Sequence, residues 1–232
     1  MNDKVNGFVL SISDYKENDC LMQVMTKEYG LLSFVGKSAK KISSKNHFLP
    51  FCLYEFIFDY KENKTIYSVH GHKLIRSYFD NQDLEYIAFK NIIAELALKN
   101  RDIDTYDALV FVFDRLSGEN RYLLGSMFVS YLIKCSGITP VVDGCVVCGN
   151  TKVVAVSDQQ GGFLCIDHLG GNEILSVEHL KKFRLLIKAT FENYDVVRDF
   201  DYDNKDFSIF MDFFLTNSEE QIHSYNFYQT IC

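Results

Sequence analysis

Two pairs of soft ligands, Cys145-Val146-Val147-Cys148 and Cys165-Ile166-Asp167-His168, constrain this chain more than any other feature. Sixteen residues separate Cys148 from Cys165, so the pattern is C-x2-C-x16-C-x2-H. Short-spaced pairs across a loop of that size read as a zinc site. Each pair can sit on a tight turn that aims two ligands at one point, and two such turns close a tetrahedron. Three thiolates and one imidazole fill all four positions, which leaves none for a catalytic water. The expectation is one structural zinc held by Cys145, Cys148, Cys165 and His168. Gly144, Gly149, Gly161 and Gly162 suit the turns and the hairpin between them, because glycine takes positive φ at low cost. The same residues exclude two enzyme classes. A nucleobase deaminase needs His-x-Glu upstream and Pro-Cys-x-x-Cys, but the chain has no His-x-Glu and Gly144 precedes Cys145. A thiol–disulfide exchanger needs one Cys-x-x-Cys opening a helix, and here a second ligand pair follows.

The rest of the chain must be large enough to carry this staple. Its 232 residues can form one large domain or two modest ones, and 47% hydrophobic with 15% aromatic content argues for a packed core. The N-terminus lacks an apolar signal core, and no apolar run reaches membrane-spanning length, so a cytoplasmic protein with no membrane partner is expected. Of the seven cysteines, Cys20, Cys52, Cys135 and Cys232 are scattered and expected to be reduced thiols. The net charge of −7 is unevenly spread: residues 1–80 hold 11 Lys+Arg and 9 Asp+Glu, and residues 81–232 hold 13 and 22. Two separate units are therefore expected.

The first unit reads as strands. Phe8, Leu10 and Ile12 alternate with Val9, Ser11 and Ser13. Cys20, Met22 and Val24 alternate with Leu21, Gln23 and Met25. Leu31–Val35, Cys52–Phe58 and Thr65–His70 follow, with turns at Glu28-Tyr29-Gly30 and Lys61-Glu62-Asn63-Lys64. Period-two alternation with short turns predicts antiparallel strands. Five of them over residues 1–80 suit a closed β-barrel of the oligonucleotide-binding (OB) type; an SH3-like barrel would have the same pattern. From Asn81 the period becomes helical, with Leu84, Ala88, Ile92 and Leu96 on one ridge. Asp104–Leu116 reads as a helix, although Leu109–Phe113 could equally be a strand. Leu123–Leu132 is a helix, capped by Gly137 and blocked by Pro140. A helix from about Ser176 and another across Phe207–Leu215 complete the chain. The expected class is α+β and multi-domain: a five-stranded barrel over 1–80, then a helical domain over 81–232 with a zinc-finger insertion at about 141–172.

Between Glu28 and Glu55 there are 26 residues without one acid, in a protein that is acidic overall. They include Lys37, Lys40, Lys41, Lys45 and His47, with Tyr29, Phe34, Phe48, Phe51 and Tyr54 as nearby aromatics, most of them expected in the core. Lysines draw phosphates as mobile point charges, and Ser and Asn add donors. A basic groove with aromatics on a small barrel suits sequence-tolerant binding of single-stranded nucleic acid. Lys73 and Arg76 lie just past the last strand and could extend the patch. Four phosphate contacts on a single strand predict a log–log salt slope of about −2.8. His70 and His72 share a strand face without a third ligand in register, and His179 is a reserve ligand should His168 be unused. There is no Ser/His/Asp array, phosphate-cradling Gly-x-x-x-x-Gly-Lys or paired-carboxylate motif, so no enzymatic turnover is expected.

Several stretches together resemble the bacterial RecO family: Gly7-Phe8-Val9-Leu10, Asp19–Lys27 with Tyr29-Gly30, the loop from Gly36-Lys37 to Lys45 ending in Leu49-Pro50-Phe51, Tyr131-Leu132 through Gly137-Ile138-Thr139-Pro140, Cys145-x-x-Cys148-Gly149 and Gly161-Gly162-Phe163-Leu164-Cys165. The family's usual fourth Cys is replaced here by His168, itself a zinc ligand. The resemblance implies an N-terminal oligonucleotide-binding barrel, a helical domain and a zinc finger. It implies a recombination mediator in DNA repair that binds single- and double-stranded DNA and anneals complementary strands. With RecR, such proteins help RecA replace single-stranded-DNA-binding protein (SSB), and they hold the acidic C-terminal tail of SSB on the helical domain. The family's basic loop falls on Lys37, Lys40, Lys41 and Lys45. Two other readings are an interaction protein acting through its acidic helical half, and an RNA-binding accessory factor.

Overall fold

The computed structural model describes residues 3–41, 47–79, 84–100 and 102–231. The chain forms two compact units, residues 1–114 with 223–232 and residues 115–222. In the first, six strands follow one another: β1 (Asp3–Tyr15), β2 (Asp19–Thr26), β3 (Gly30–Gly36), β4 (Cys52–Phe58), β5 (Ile66–Ser68) and β6 (Gly71–Ser77). They form one sheet in the order β5-β3-β2-β1-β4-β6. All neighbours are antiparallel except β3 and β5, which run parallel.

The expected alternation holds on the sheet's inner face. Val5, Val9, Met22, Val24, Phe34, Tyr54, Phe56, Phe58 and Tyr67 bury there as one cluster. The expected closed five-stranded barrel does not form. The sheet has six strands, and its edge strands β5 and β6 are joined by the chain itself rather than by a ladder. The cause is a kink at Val69-His70: the Val69 N–H donates to the Val35 carbonyl on one side, and the His70 N–H to the Ile57 carbonyl on the other. Pairing switches there from β3 to β4, so one sequence segment supplies two edges.

The first unit also keeps two helices, α1 (Leu84–Lys99) and α2 (Thr105–Arg115). Both helices thus belong to the same compact unit as the sheet. Phe8, on the sheet's outer face, shows the reason. It is fully buried and packs against Phe113 of α2 and against Tyr78, with ring centroids at 4.6 and 5.7 Å. An apolar face on a sheet needs cover, and these helices supply it. The Lys90 ammonium is buried on α1, donating to the Tyr78 carbonyl at 3.1 Å over the rings of Tyr86 and Phe51, which compensate its lost hydration. The ambiguous Leu109–Phe113 run is helical. A terminal helix, not expected from sequence and labelled below in chain order, returns to this unit at His223–Ile231. The Glu95 carboxylate accepts from the His223 and Ser224 N–H groups and the Ser224 hydroxyl at its first turn. These donors outweigh the burial that opposes ionisation and hold Glu95 below the usual carboxylate range.

The second unit holds α3 (Arg121–Cys135), a hairpin of β7 (Val153–Ser157) and β8 (Gly162–Cys165), α4 (Val177–Lys188), the short α5 (Tyr194–Val197) and α6 (Asn204–Ser218); the terminal His223–Ile231 helix is α7. Gly137 closes α3 at φ +70, with the Ile138 N–H reaching back to the Ile133 carbonyl, as its position in sequence predicts. The Ser176 hydroxyl caps α4, and Asp203 with Asp206 forms a capping box at α6. Phe183 centres the packing, meeting Phe163 of the hairpin and Phe210 and Phe213 of α6.

Candidate functional site

Two features carry chemistry, one in each unit. The first is the hairpin. The Cys145 carbonyl accepts from the Gly149 N–H at 2.8 Å, and the Cys145 N–H donates to the Asn150 carbonyl at 2.8 Å, which curls Cys145–Cys148 into a knuckle. Two glycines make that curl possible. Gly149 sits at φ +75, and a Cβ on Gly144 would lie 2.7 Å from the Gly149 carbonyl oxygen. The second ligand pair is presented by the end of β8 and a single 3-10 turn, Ile166–His168.

The four ligands converge. Cys148 Sγ lies 3.7 Å from Cys165 Sγ, and His168 Nδ1 lies 3.7 Å from Cys145 Sγ and 3.3 Å from Cys165 Sγ. All four ligand atoms fall within 4.8 Å of one another. A tetrahedron with Zn–S of about 2.3 Å and Zn–N of about 2.0 Å has edges of about 3.5–3.8 Å, so the spacing fits such an ion. The sulfurs are too far apart for a disulfide of about 2.05 Å. Burial opposes ionisation of Cys145, but N–H groups of Cys165, Cys148 and Val147 outweigh it and hold the thiol down to about 6. A thiolate is therefore accessible near neutral pH, which is what a metal requires. The apolar support is small: Cys145, Ala155, Leu164 and Cys165 are its buried members.

The reserve ligand His179 lies elsewhere. Its Nδ1 is 2.7 Å from Asp206 Oδ1, and Lys182 Nζ is 3.0 Å from Asp206 Oδ2. His179, Asp203 and Asp206 do cluster, but the ammonium already neutralises the buried carboxylate, so this is an ion-pair staple between α4 and α6. His70 and His72 also do not act together. His70 pairs with Asp59 at 3.3 Å, and His72 packs at a tilt against Phe48, ring centroids 4.5 Å apart, where burial holds its pKa down.

The second feature is the basic loop. Lys37, Lys40 and Lys41 are exposed on the segment leaving β3, and Lys45 lies outside the described residues. The acid-free stretch does not remain free of acids in space. The β1–β2 turn lies beside it: Lys40 Nζ pairs with Asp14 Oδ1 at 2.7 Å, and Asp19 Oδ1 accepts the Ser38 N–H at 2.8 Å. Arg76 is also engaged, through a guanidinium contact to the Asp114 carboxylate of α2. Lys73 is exposed on β6, directly across from Glu55. Of the aromatics, Phe34, Phe51 and Tyr54 are core residues; Phe48 and Tyr29 are half-buried, Tyr29 stacking on Tyr60 at 4.3 Å. Sequence reasoning missed Asp14 and Asp19. The signal that locates them is the strand register, since Cys20 pairs with Gly36 and puts the β1–β2 turn at the root of the loop. No helix among the described residues is long and apolar enough to cross a membrane.

Residues 1–78 match the family described as Recombination protein O N terminal, and residues 81–200 match Recombination protein O C terminal. A DNA repair protein RecO from an Exiguobacterium species is 26% identical over 195 residues, covering 81% of this chain and 78% of that protein. One from Clostridium novyi is 26% identical over 210 residues, covering 84% and 80%. One from Lactobacillus acidophilus is 26% identical over 203 residues, covering 81% and 78%. With both halves matched in order, this chain belongs to the RecO family, whose matched members are named as DNA repair proteins.

Proposed function

We propose that this protein is a recombination mediator that binds single- and double-stranded DNA through the basic loop, anneals complementary strands and, with RecR, helps RecA replace SSB on single strands. A docked SSB C-terminal tail belongs to the same reading. The observation that carries it is the cationic loop at the end of β3, with exposed Lys37 and Lys41; Lys45 joins them on its sequence position and Lys73 by its exposure on β6. Family membership supplies the biological setting. The ion pairs of Lys40 with Asp14 and of Arg76 with Asp114 must open for those two cations to take part. Four loop lysines neutralising phosphates give a salt slope of about −2.8 on a single strand. A titration of oligothymidylate against salt measures it. No saturable binding at low salt would remove the DNA reading.

The Cys145, Cys148, Cys165 and His168 site holds one zinc per chain in this reading, with a structural role: four protein donors saturate the ion and leave no open position. Metal analysis of protein purified without chelator tests it, with one equivalent of zinc expected and none sinking the assignment.

A further inference from the structure

We infer that Asp19 is a positioning residue for the basic loop: its carboxylate holds Ser38 in a left-handed turn and so sets the angle at which Lys37 and Lys41 meet a phosphate backbone. The inference rests on the DNA reading above and deepens it. Ser38 sits at φ +55, a conformation that side chains other than Gly, Asn and Asp adopt seldom and keep only where the surroundings enforce it. Three main-chain hydrogen bonds enforce it. The Ser38 N–H donates to Asp19 Oδ1 at 2.8 Å, the Lys40 N–H donates to the Asn18 carbonyl at 3.1 Å, and the Lys41 N–H to the Ser38 carbonyl at 3.0 Å. Asp19 itself is placed by the hairpin, paired across the ladder with Tyr15 and followed by Cys20, which pairs with Gly36.

A carboxylate at the root of a phosphate-binding loop repels the ligand, so charge alone argues against it. Its geometry argues for it. Asp14, a few residues away, pairs with the Lys40 side chain and is 88% exposed, whereas Asp19 grips the loop backbone. The two acids carry the same charge and do different work.

The test uses full-length protein with zinc bound, a labelled oligothymidylate and three variants. Asp19→Ala removes both charge and acceptor, Asp19→Asn removes the charge but keeps an acceptor oxygen, and Ser38→Pro removes the donor and forbids the positive φ. Asp19→Ala is expected to bind about fivefold more weakly, the worth of one capping hydrogen bond, although it makes the protein less negative. Asp19→Asn should bind within about twofold of the parent, and Ser38→Pro should reproduce the loss even if Asp19→Ala proves unstable. Equal or tighter binding by Asp19→Ala, or a loss in Asp19→Asn as large as in Asp19→Ala, overturns the inference. If the parent itself fails to bind, the DNA reading has failed separately. The clasp is then judged by trypsin cleavage after Lys37, Lys40 and Lys41, faster in Asp19→Ala than in the parent or Asp19→Asn if it exists and equal in all three if it does not.

Discussion

The metal hairpin and the basic loop hold their reactive groups in opposite ways. In the hairpin, four donors converge on one point and the surrounding backbone is spent on the knuckle that aims them. In the loop, Lys37, Lys40 and Lys41 stay exposed, and the anchoring falls to main-chain N–H groups and two acids from a neighbouring turn. Under the proposed function, a site that retains an ion is built by convergence, and a surface that meets a long polyanion and releases it is built by display, with its partners held at the edge. The difference also predicts how each responds to change: the hairpin should fail as a unit, and the loop should lose affinity in steps.

The largest expected effect breaks the convergent side. Cys165→Ala removes a fully buried donor. Zinc content should fall from one equivalent to none, and the unit around the hairpin should lose on the order of 3 kcal/mol, roughly 10 °C in melting temperature. Calorimetry with metal analysis checks both, and retained zinc would show that three donors suffice. Next, Lys37→Glu with Lys41→Glu should weaken single-strand binding by tenfold or more at low salt while melting is unchanged, because each reversal replaces a released counterion with repulsion. Affinity unchanged in a gel-shift series would take the loop out of the mechanism.

Two smaller effects sharpen the display side. Arg76→Ala should leave DNA affinity within about twofold, since its guanidinium already serves Asp114 in an exposed pair; a loss like that of the loop lysines would show that the pair opens for DNA. Asp14→Asn should tighten binding about twofold at low salt by releasing Lys40, and the gain should vanish near 0.5 M salt, where screening removes it. A gain that persists at high salt would mean Asp14 acts through shape rather than charge.

Much of this architecture is legible in the sequence. The ligand spacing located the hairpin, and the helix ends at Gly137 and Ser176 followed from cap residues that act within a turn of themselves. The strands of the first unit followed from alternation, because burial on one face repeats every second residue. Leu109–Phe113 alone fits helix or strand, since an all-apolar pentapeptide satisfies either period, and it lies inside the Thr105–Arg115 helix. The acid-free stretch from Tyr29 to Tyr54 pointed to a cationic loop but not to the two aspartates that brace it.

The sequence by itself determined the elements whose causes are local: knuckles, caps, alternating strands and a run of lysines without acids. Tertiary structure decided the rest. It opened the sheet at Val69-His70, gave α1 and α2 to the strands, carried α7 back to Glu95, and engaged Lys40 and Arg76 with Asp14 and Asp114. The reason is range. Backbone preference and ligand spacing act over a few residues, whereas an ion pair depends on distance in space, which strand register sets between residues far apart in the chain.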